Sequence, residues 1–304
     1  VGNVCVPCVA DAQCSAKLGA NPGICMSHQG GRCATNDESI YAGKGACPLS
    51  GDGLIGSPFC APQEAVDAIT LSRRVIVLRG PSLAPFKMSP TGDQVTIIGQ
   101  DGATIAPGDN VGVYVANGDV YIRSISVVGG LREGIYAESE ATLRLNRCSV
   151  YNNQGGIRIQ GGFDIANTWV TNNGANQARV RSFGGSTIYF YGGVFLHGPA
   201  HIGQPALFRN VTIYRNRSHG LVCTKPLTVK SLLVSENEHD QVRGCTAEFS
   251  SVGVNPGLDN DGHLSSLSQC RNMGDPTDFP PDDIDGDERP LEGKNDCGAD
   301  EFKP

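Results

Sequence analysis

Between Val120 and Asn237 the chain alternates apolar and polar residues in paired short runs with a two-residue break, and the pattern returns about every 21 residues. Six eleven-residue windows carry it: VYIRSISVVGG (120–130), LRLNRCSVYNN (143–153), FDIANTWVTNN (163–173), TIYFYGGVFLH (187–197), ALFRNVTIYRN (206–216) and LTVKSLLVSEN (227–237). Their eighth positions, Val127, Val150, Val170, Val194, Ile213 and Val234, are 23, 20, 24, 19 and 21 residues apart. Alternation is the strand period with one face buried. A third short strand precedes most windows, as Gly134-Ile135-Tyr136, Gly156-Ile157-Arg158 or Gly220-Leu221-Val222. Three strands per repeat make one coil of a parallel β-helix, right-handed because parallel crossovers almost always are. Coils then stack at about 4.8 Å. The expected fold class is therefore all-β, a right-handed parallel β-helical solenoid, with the eighth positions in one inward stack.

The eleventh position repeats as Asn153, Asn173, Asn216 and Asn237. Stacked coils would set these amides above one another at a turn, each bonded to the next in a position that tolerates left-handed backbone. Outside the repeat, Pro62 to Ile69 fits a short capping helix: Pro in the first turn, Gln63 and Glu64 behind it, and Ala65, Val66 and Ile69 on one face. Val75 to Leu78 reads as a buried strand. The divisions are a cysteine-rich head (1–36), a Gly-rich connector (37–61), the solenoid with its capping helix (62–254) and an irregular acidic cap (255–304).

Composition sharpens this picture in two places. Twelve cysteines among 304 residues point to disulfides and an oxidising, extracytoplasmic setting. The head spacing Cys5, Cys8, Cys14, Cys25, Cys33 suits a disulfide-held module; a zinc reading lacks a second C-x-x-C or a paired His motif. Cys223 and Cys245, one coil apart at similar strand phase, are expected to pair, as are Cys47 with Cys60 and Cys270 with Cys297, which would tie the caps to the body. Cys148 should be a buried free thiol. No apolar run is long enough to span a membrane, and any secretory leader is taken to have been removed. Net charge is −7, yet residues 275–302 hold eleven acidic and two basic side chains; that segment is −9, which leaves +2 for the rest. Nucleic acid is not an expected partner.

The coils resemble the right-handed parallel β-helix family of secreted bacterial surface proteins, related in fold to pectate lyases. The resemblance covers 57–302. It rests on the entry Pro58-Phe59-Cys60 with the helix after it, and on an exit of Asn255-Pro256-Gly257-Leu258, Gly262-His263-Leu264, Asp283-x-Asp-Gly-Asp-x-Arg-Pro290 and Asp296-Cys-Gly-Ala-Asp-Glu-Phe302. The head is similar to small N-terminal modules of bacterial cell-surface lipoproteins. The resemblance implies secretion or display on the outer surface, and both caps would protect terminal strand edges.

Enzymes of this fold need clustered carboxylates and a basic residue on one outward face. The coils hold no Asp-Asp pair, Ser218-His219-Gly220 lacks the first Gly of a polygalacturonase-type Gly-His-Gly, and His239-Asp240 has no matching Arg motif. No catalytic residue is assigned. Phase predicts a first outward column of Tyr136, Arg158 and Arg181, with Arg179 and His201 beside it, suited to anionic sugars. A second, Tyr151, Trp169, Phe195 and Tyr214, offers an aromatic platform. Asp283, Asp285 and Asp287 are spaced like the start of a calcium loop, although Gly286 comes early and a turn closed by Arg289 accounts for them as well. No cofactor is required; calcium is the one candidate ion. The expected function is an extracellular or cell-surface binding and adhesion module for polysaccharide or another surface component, without catalysis. The alternatives are a polysaccharide lyase or glycoside hydrolase, or a stiff structural spacer.

Overall fold

The computed structural model describes residues 7–8, 11–18, 23–43, 51–174, 181–183, 186–188, 192–259, 261–291 and 293–304. Strand dominates its regular structure, and nearly all strands pair in parallel within one large sheet system. Within that system most strands pair with the segments one repeat before and after them. The longest, Glu133–Tyr151, pairs with Val113–Arg123 and Ser126–Val128 on one side and with Gly155–Ile159 and Gly162–Thr171 on the other. Val150 faces Val127 and Val170 in register; Val170 faces Ile213, which faces Val234. All five are at most 1% exposed, so this column is the spine of the core.

Val194 does not belong to it. It pairs with Ile157 and Leu221, in the column of the short Gly-Ile-Tyr strands. The window 187–197 was therefore placed one strand out of phase. The repeat from Asn173 to Asn216 is double length, and its described excursion is an antiparallel hairpin of Arg181–Phe183 with Ser186–Ile188. Local alternation cannot distinguish two strands that both alternate.

The asparagine ladder is continuous. The Asn153 amide donates to Asn173 Oδ1 (3.2 Å), Asn173 to Asn216 Oδ1 (3.0 Å), and Asn216 to Asn237 Oδ1 (2.9 Å). Each carboxamide oxygen also accepts the backbone N–H of the Asn before it, at 3.0 Å. Gly130 N–H closes one end of the ladder and the Gln241 side chain the other. The left-handed backbone falls one residue earlier than expected, on Asn152, Asn172, Arg215 and Glu236, with φ between 53° and 56°. A second left-handed column, Arg147, Asn167, Asn210 and Ser231, makes the break between the paired runs. Asn210-Val-Thr212 and Asn216-Arg-Ser218 have the form of glycosylation sequons, but Asn210 and Asn216 are both 0% exposed, so neither side chain is available to carry a glycan.

The parallel system starts inside the stretch read as a connector. Ser39–Gly43 is fully buried and pairs with Val75–Arg79, so the helix, Pro62–Asp67, follows the first strand instead of preceding it. The helix ends two residues short of Ile69. Gln63 gives it a second role: its side chain accepts the Lys87 N–H (2.9 Å) and donates to the Lys87 carbonyl (3.1 Å), standing in for a strand partner at that edge.

The head carries a helix, Asp11–Leu18, which the sequence reading did not anticipate, and interleaved disulfides Cys8–Cys25 and Cys14–Cys33. It packs on the outward side of the first strands: Ile24, Met26 and Ala34 meet Tyr41, Val75, Val77, Ile98 and Tyr121. That cover explains why Val75 to Leu78 is buried on both faces. The C-terminal segment is likewise more than an end cap. It runs along the outward side across several repeats, touching Arg147 through the Ile284 and Asp285 carbonyls, Asn167 through Asp282, Asn210 through Asp296, and Thr212 through Ala299.

Cys223 and Cys245 form a disulfide with Cα atoms 5.4 Å apart, and Cys270 and Cys297 form another at 4.8 Å. Cys47 lies outside the described residues. Cys148 is a fully buried free thiol, pushed up to about 11 by burial, and so unreactive at neutral pH. The four disulfides among the described residues suit an oxidising compartment. Among the described residues no helix is long and apolar enough to cross a membrane. The Cys223–Cys245 bond closes 22 residues, so the double replacement Cys223→Ser/Cys245→Ser is expected to lower unfolding stability by about 3 kcal/mol. Denaturant unfolding checks this, and an unchanged midpoint would show that the staple adds nothing.

Candidate functional site

The Gly-Ile-Tyr strands stack one outward residue per repeat. In register these are Lys87, Tyr114, Tyr136, Arg158, Phe195, Val222 and Arg243. The first five form a continuous stack of two cations and three rings. Lys87 Nζ lies 4.8 Å from the Tyr114 centroid, and the Tyr114 and Tyr136 rings are 5.4 Å apart. The Arg158 guanidinium sits 5.5 Å from Tyr136 and 5.8 Å from Phe195. All the cation distances are within cation–π range.

Acidic groups border the column. The Tyr114 hydroxyl donates to Glu138, and that bond, aided by burial, pushes the phenol up to about 12. Burial raises Tyr136 as well. Glu133, 7% exposed, is 3.9 Å from Arg158. His197 stacks edge-on against Phe195 at 4.7 Å; burial, with Arg158 and Lys225 nearby, holds it below its ordinary value. Arg158 Nε and His197 Nε2 are buried atoms with no hydrogen-bond partner. The face thus offers rings and cations in one stack, with the Arg158 guanidinium between two of the rings, while Arg158 Nε and His197 Nε2 themselves are enclosed. Its phenols are held protonated near neutral pH, which suits recognition better than proton abstraction.

Of the residues expected in this column, Tyr136 and Arg158 are adjacent in register. Arg181 is not in it, because it lies on the antiparallel hairpin. Arg179 lies outside the described residues. His201 is exposed and reaches away to Glu140 Oε1 at 2.8 Å. Lys87 and Tyr114 were missed, because they precede the first recognisable window; the triplet Gly112-Val113-Tyr114 was the available signal.

The expected aromatic platform is dispersed. Tyr151 and Tyr214 share a column with Thr171 between them. Trp169 is two positions back along its strand and is covered by His263, 5.2 Å away. Phe195 stands in a different strand column, beside Arg158. The mis-phased window is again the cause.

Two motifs weighed separately in the sequence come together. His219 Nδ1 is 3.4 Å from Asp240 Oδ2, and the His219 and His239 rings are 5.3 Å apart. These residues are one repeat apart, so stacking unites them.

Asp283, Asp285 and Asp287 converge, but Asp283 is fully engaged. Its Oδ1 accepts the N–H groups of Asp285, Gly286 and Asp287 at 2.8–2.9 Å, and its Oδ2 accepts Glu301 N–H at 3.1 Å. That arrangement closes a turn. His263 makes a further convergent group: its Nδ1 is 3.2 Å from both Asp285 and Asp300, beside a cavity of about 350 Å³. Asp275, Asp283, Asp296, Asp300 and Glu301 of the C-terminal segment are 2%, 0%, 3%, 4% and 3% exposed, so much of the acidic excess serves internal bonding. No protein-family model and no curated protein matches this chain.

Proposed function

We propose that this chain is a right-handed parallel β-helical surface protein, secreted or displayed on the outer cell surface, which binds polysaccharide or another surface component along the Lys87–Phe195 column. The strand pairings one repeat apart and the stacked turns support the solenoid reading, as does the resemblance of its entry and exit motifs to bacterial β-helix proteins. The observation that carries the binding reading is the column itself. It is an outward, largely half-buried stack of rings and cations, with Arg158 holding an unpaired donor between two aromatic faces. Rings stack on sugar faces, and a guanidinium pairs with carboxylate or sulfate. The acidic total does not by itself weigh against this, since the charge outside 275–302 is +2.

A glycan array at two salt concentrations tests the reading. The native protein is expected to bind, and Tyr136→Ala/Arg158→Ala to bind about thirtyfold more weakly, at ~1 kcal/mol for each of the two half-exposed contacts. Equal binding by both proteins would favour a structural spacer. The His219–Asp240 pair supports a second reading, a hydrolase or lyase; shortened or unsaturated sugar products, lost in His219→Ala, would favour it.

A further inference from the structure

We propose that the disulfide-knit head is an acid-released cover on the outward side of the first strands, with His28 as the group that releases it. Three observations at one interface carry the proposal. First, His28 is wedged between head and body: its ring stacks on Tyr121 with centroids 3.7 Å apart and planes 12° apart, and its Nε2 meets Thr96 Oγ1 at 3.0 Å. Second, its Nδ1 is buried with no hydrogen-bond partner. A second proton there would create a donor without an acceptor.

Third, the surrounding charge is adverse to a cation. Arg123 and Arg144 on the body and Arg32 on the head all act against protonation, and Asp119 opposes them. The nearby acids are already engaged. Asp119 pairs with Arg144 at 3.0 Å, Glu38 with Arg32 at 2.7 Å, and Asp11 with Arg123 through both oxygens at 2.7 and 2.9 Å. Burial first, then these arginines, lower the ring from its ordinary 6.5 to about 4.

The sign follows from linkage. A base held low when covered takes up its proton more readily once uncovered, so acid favours the released state. The cover is at full strength above about pH 6.5 and weakens as the pH falls towards 4. At pH 4.5 the covered-to-released ratio should drop by roughly seventy-fold relative to pH 7.5. Cys8–Cys25 and Cys14–Cys33 keep the released head intact, and the chain from Ala34 to Ser39 tethers it. Release would bare the outward apolar face of Tyr41, Val75, Val77, Ile98 and Tyr121.

The test is amide hydrogen exchange on the full chain at pH 7.5 and 4.5, corrected for intrinsic rates. Strands Val75–Arg79 and Val95–Gln100 are expected to lose protection at acid pH while the Val150 and Val170 strands keep theirs. His28→Gln should stay covered at both pH values. Simultaneous loss of protection in every strand, or release of His28→Gln at the same pH, would overturn the proposal. Should His28→Gln fail to fold, the ring proton resonances of His28 in the native protein decide. Titration near 4, with exchange rising in step, supports the cover, and titration near 6.5 without a change in exchange refutes it.

Discussion

Asn173→Ala is expected to destabilise the protein by about 3–5 kcal/mol, since each buried polar group left unpaired costs roughly 1–3 kcal/mol. Asn173 is 0% exposed and works in both directions along the stack. Its oxygen accepts the backbone N–H and the amide of Asn153; its amide donates to the Val150 carbonyl (2.9 Å) and to Asn216 Oδ1 (3.0 Å). Alanine leaves all four without that partner, in a place too enclosed for bulk water. Asn173→Asp separates the two roles: it keeps the acceptor but sets a carboxylate oxygen against the Val150 carbonyl and Asn216 Oδ1. Both variants should lower the denaturant midpoint, and Asp should recover at acid pH, where its carboxyl regains a hydrogen. A loss below ~1 kcal/mol for Asn173→Ala would mean that the ladder merely occupies turns that hold without it.

Arg289→Met should be as damaging, at about 3–5 kcal/mol, because it removes one partner of a buried ion pair. The side chains of Arg289 and Glu301 are 0% and 2% exposed, and 2.8 Å separates their charged atoms. The guanidinium also donates to Asn295 Oδ1 and to the carbonyls of Asp296 and Gly298. Burial alone would lower Arg289 and raise Glu301, and each charge is there to offset the other. Without the arginine, Glu301 is a buried carboxylate beside Asp283, Asp296 and Asp300. Arg289→Met/Glu301→Leu should regain part of the loss, since neither charge is then stranded. Exchange or limited proteolysis should place the opening in 255–304, and a loss spread evenly over the strands would contradict a role confined to that segment.

Residues Val127, Val150, Val170, Ile213 and Val234 and the ladder asparagines were legible in the sequence, because a repeated strand must return the same side chain to the same place. The pattern also made Tyr136 and Arg158 neighbours. It failed at 187–197, where both candidate strands alternate and only inter-strand hydrogen bonding decides which column Val194 and Phe195 join. Lys87 and Tyr114 escaped for a related reason: they sit in the first repeats, where the eleven-residue pattern had not yet begun.

What the sequence determined by itself is the period of the chain, the inward face of its strands and the disulfide-rich chemistry that suits an oxidising compartment. These properties follow from side-chain alternation and residue type, which are local. The tertiary structure decided what covers the outward faces. The head shields Tyr121, the C-terminal segment shields Trp169, and the Lys87–Phe195 column is left to line an outer face. The buried acids of the C-terminal segment, read from composition as a charged tail, are tied down by backbone N–H groups and Arg289. Such covering depends on contacts between residues more than a hundred positions apart, as in Asp11 with Arg123 and Asn167 with Asp282, and no local pattern records it.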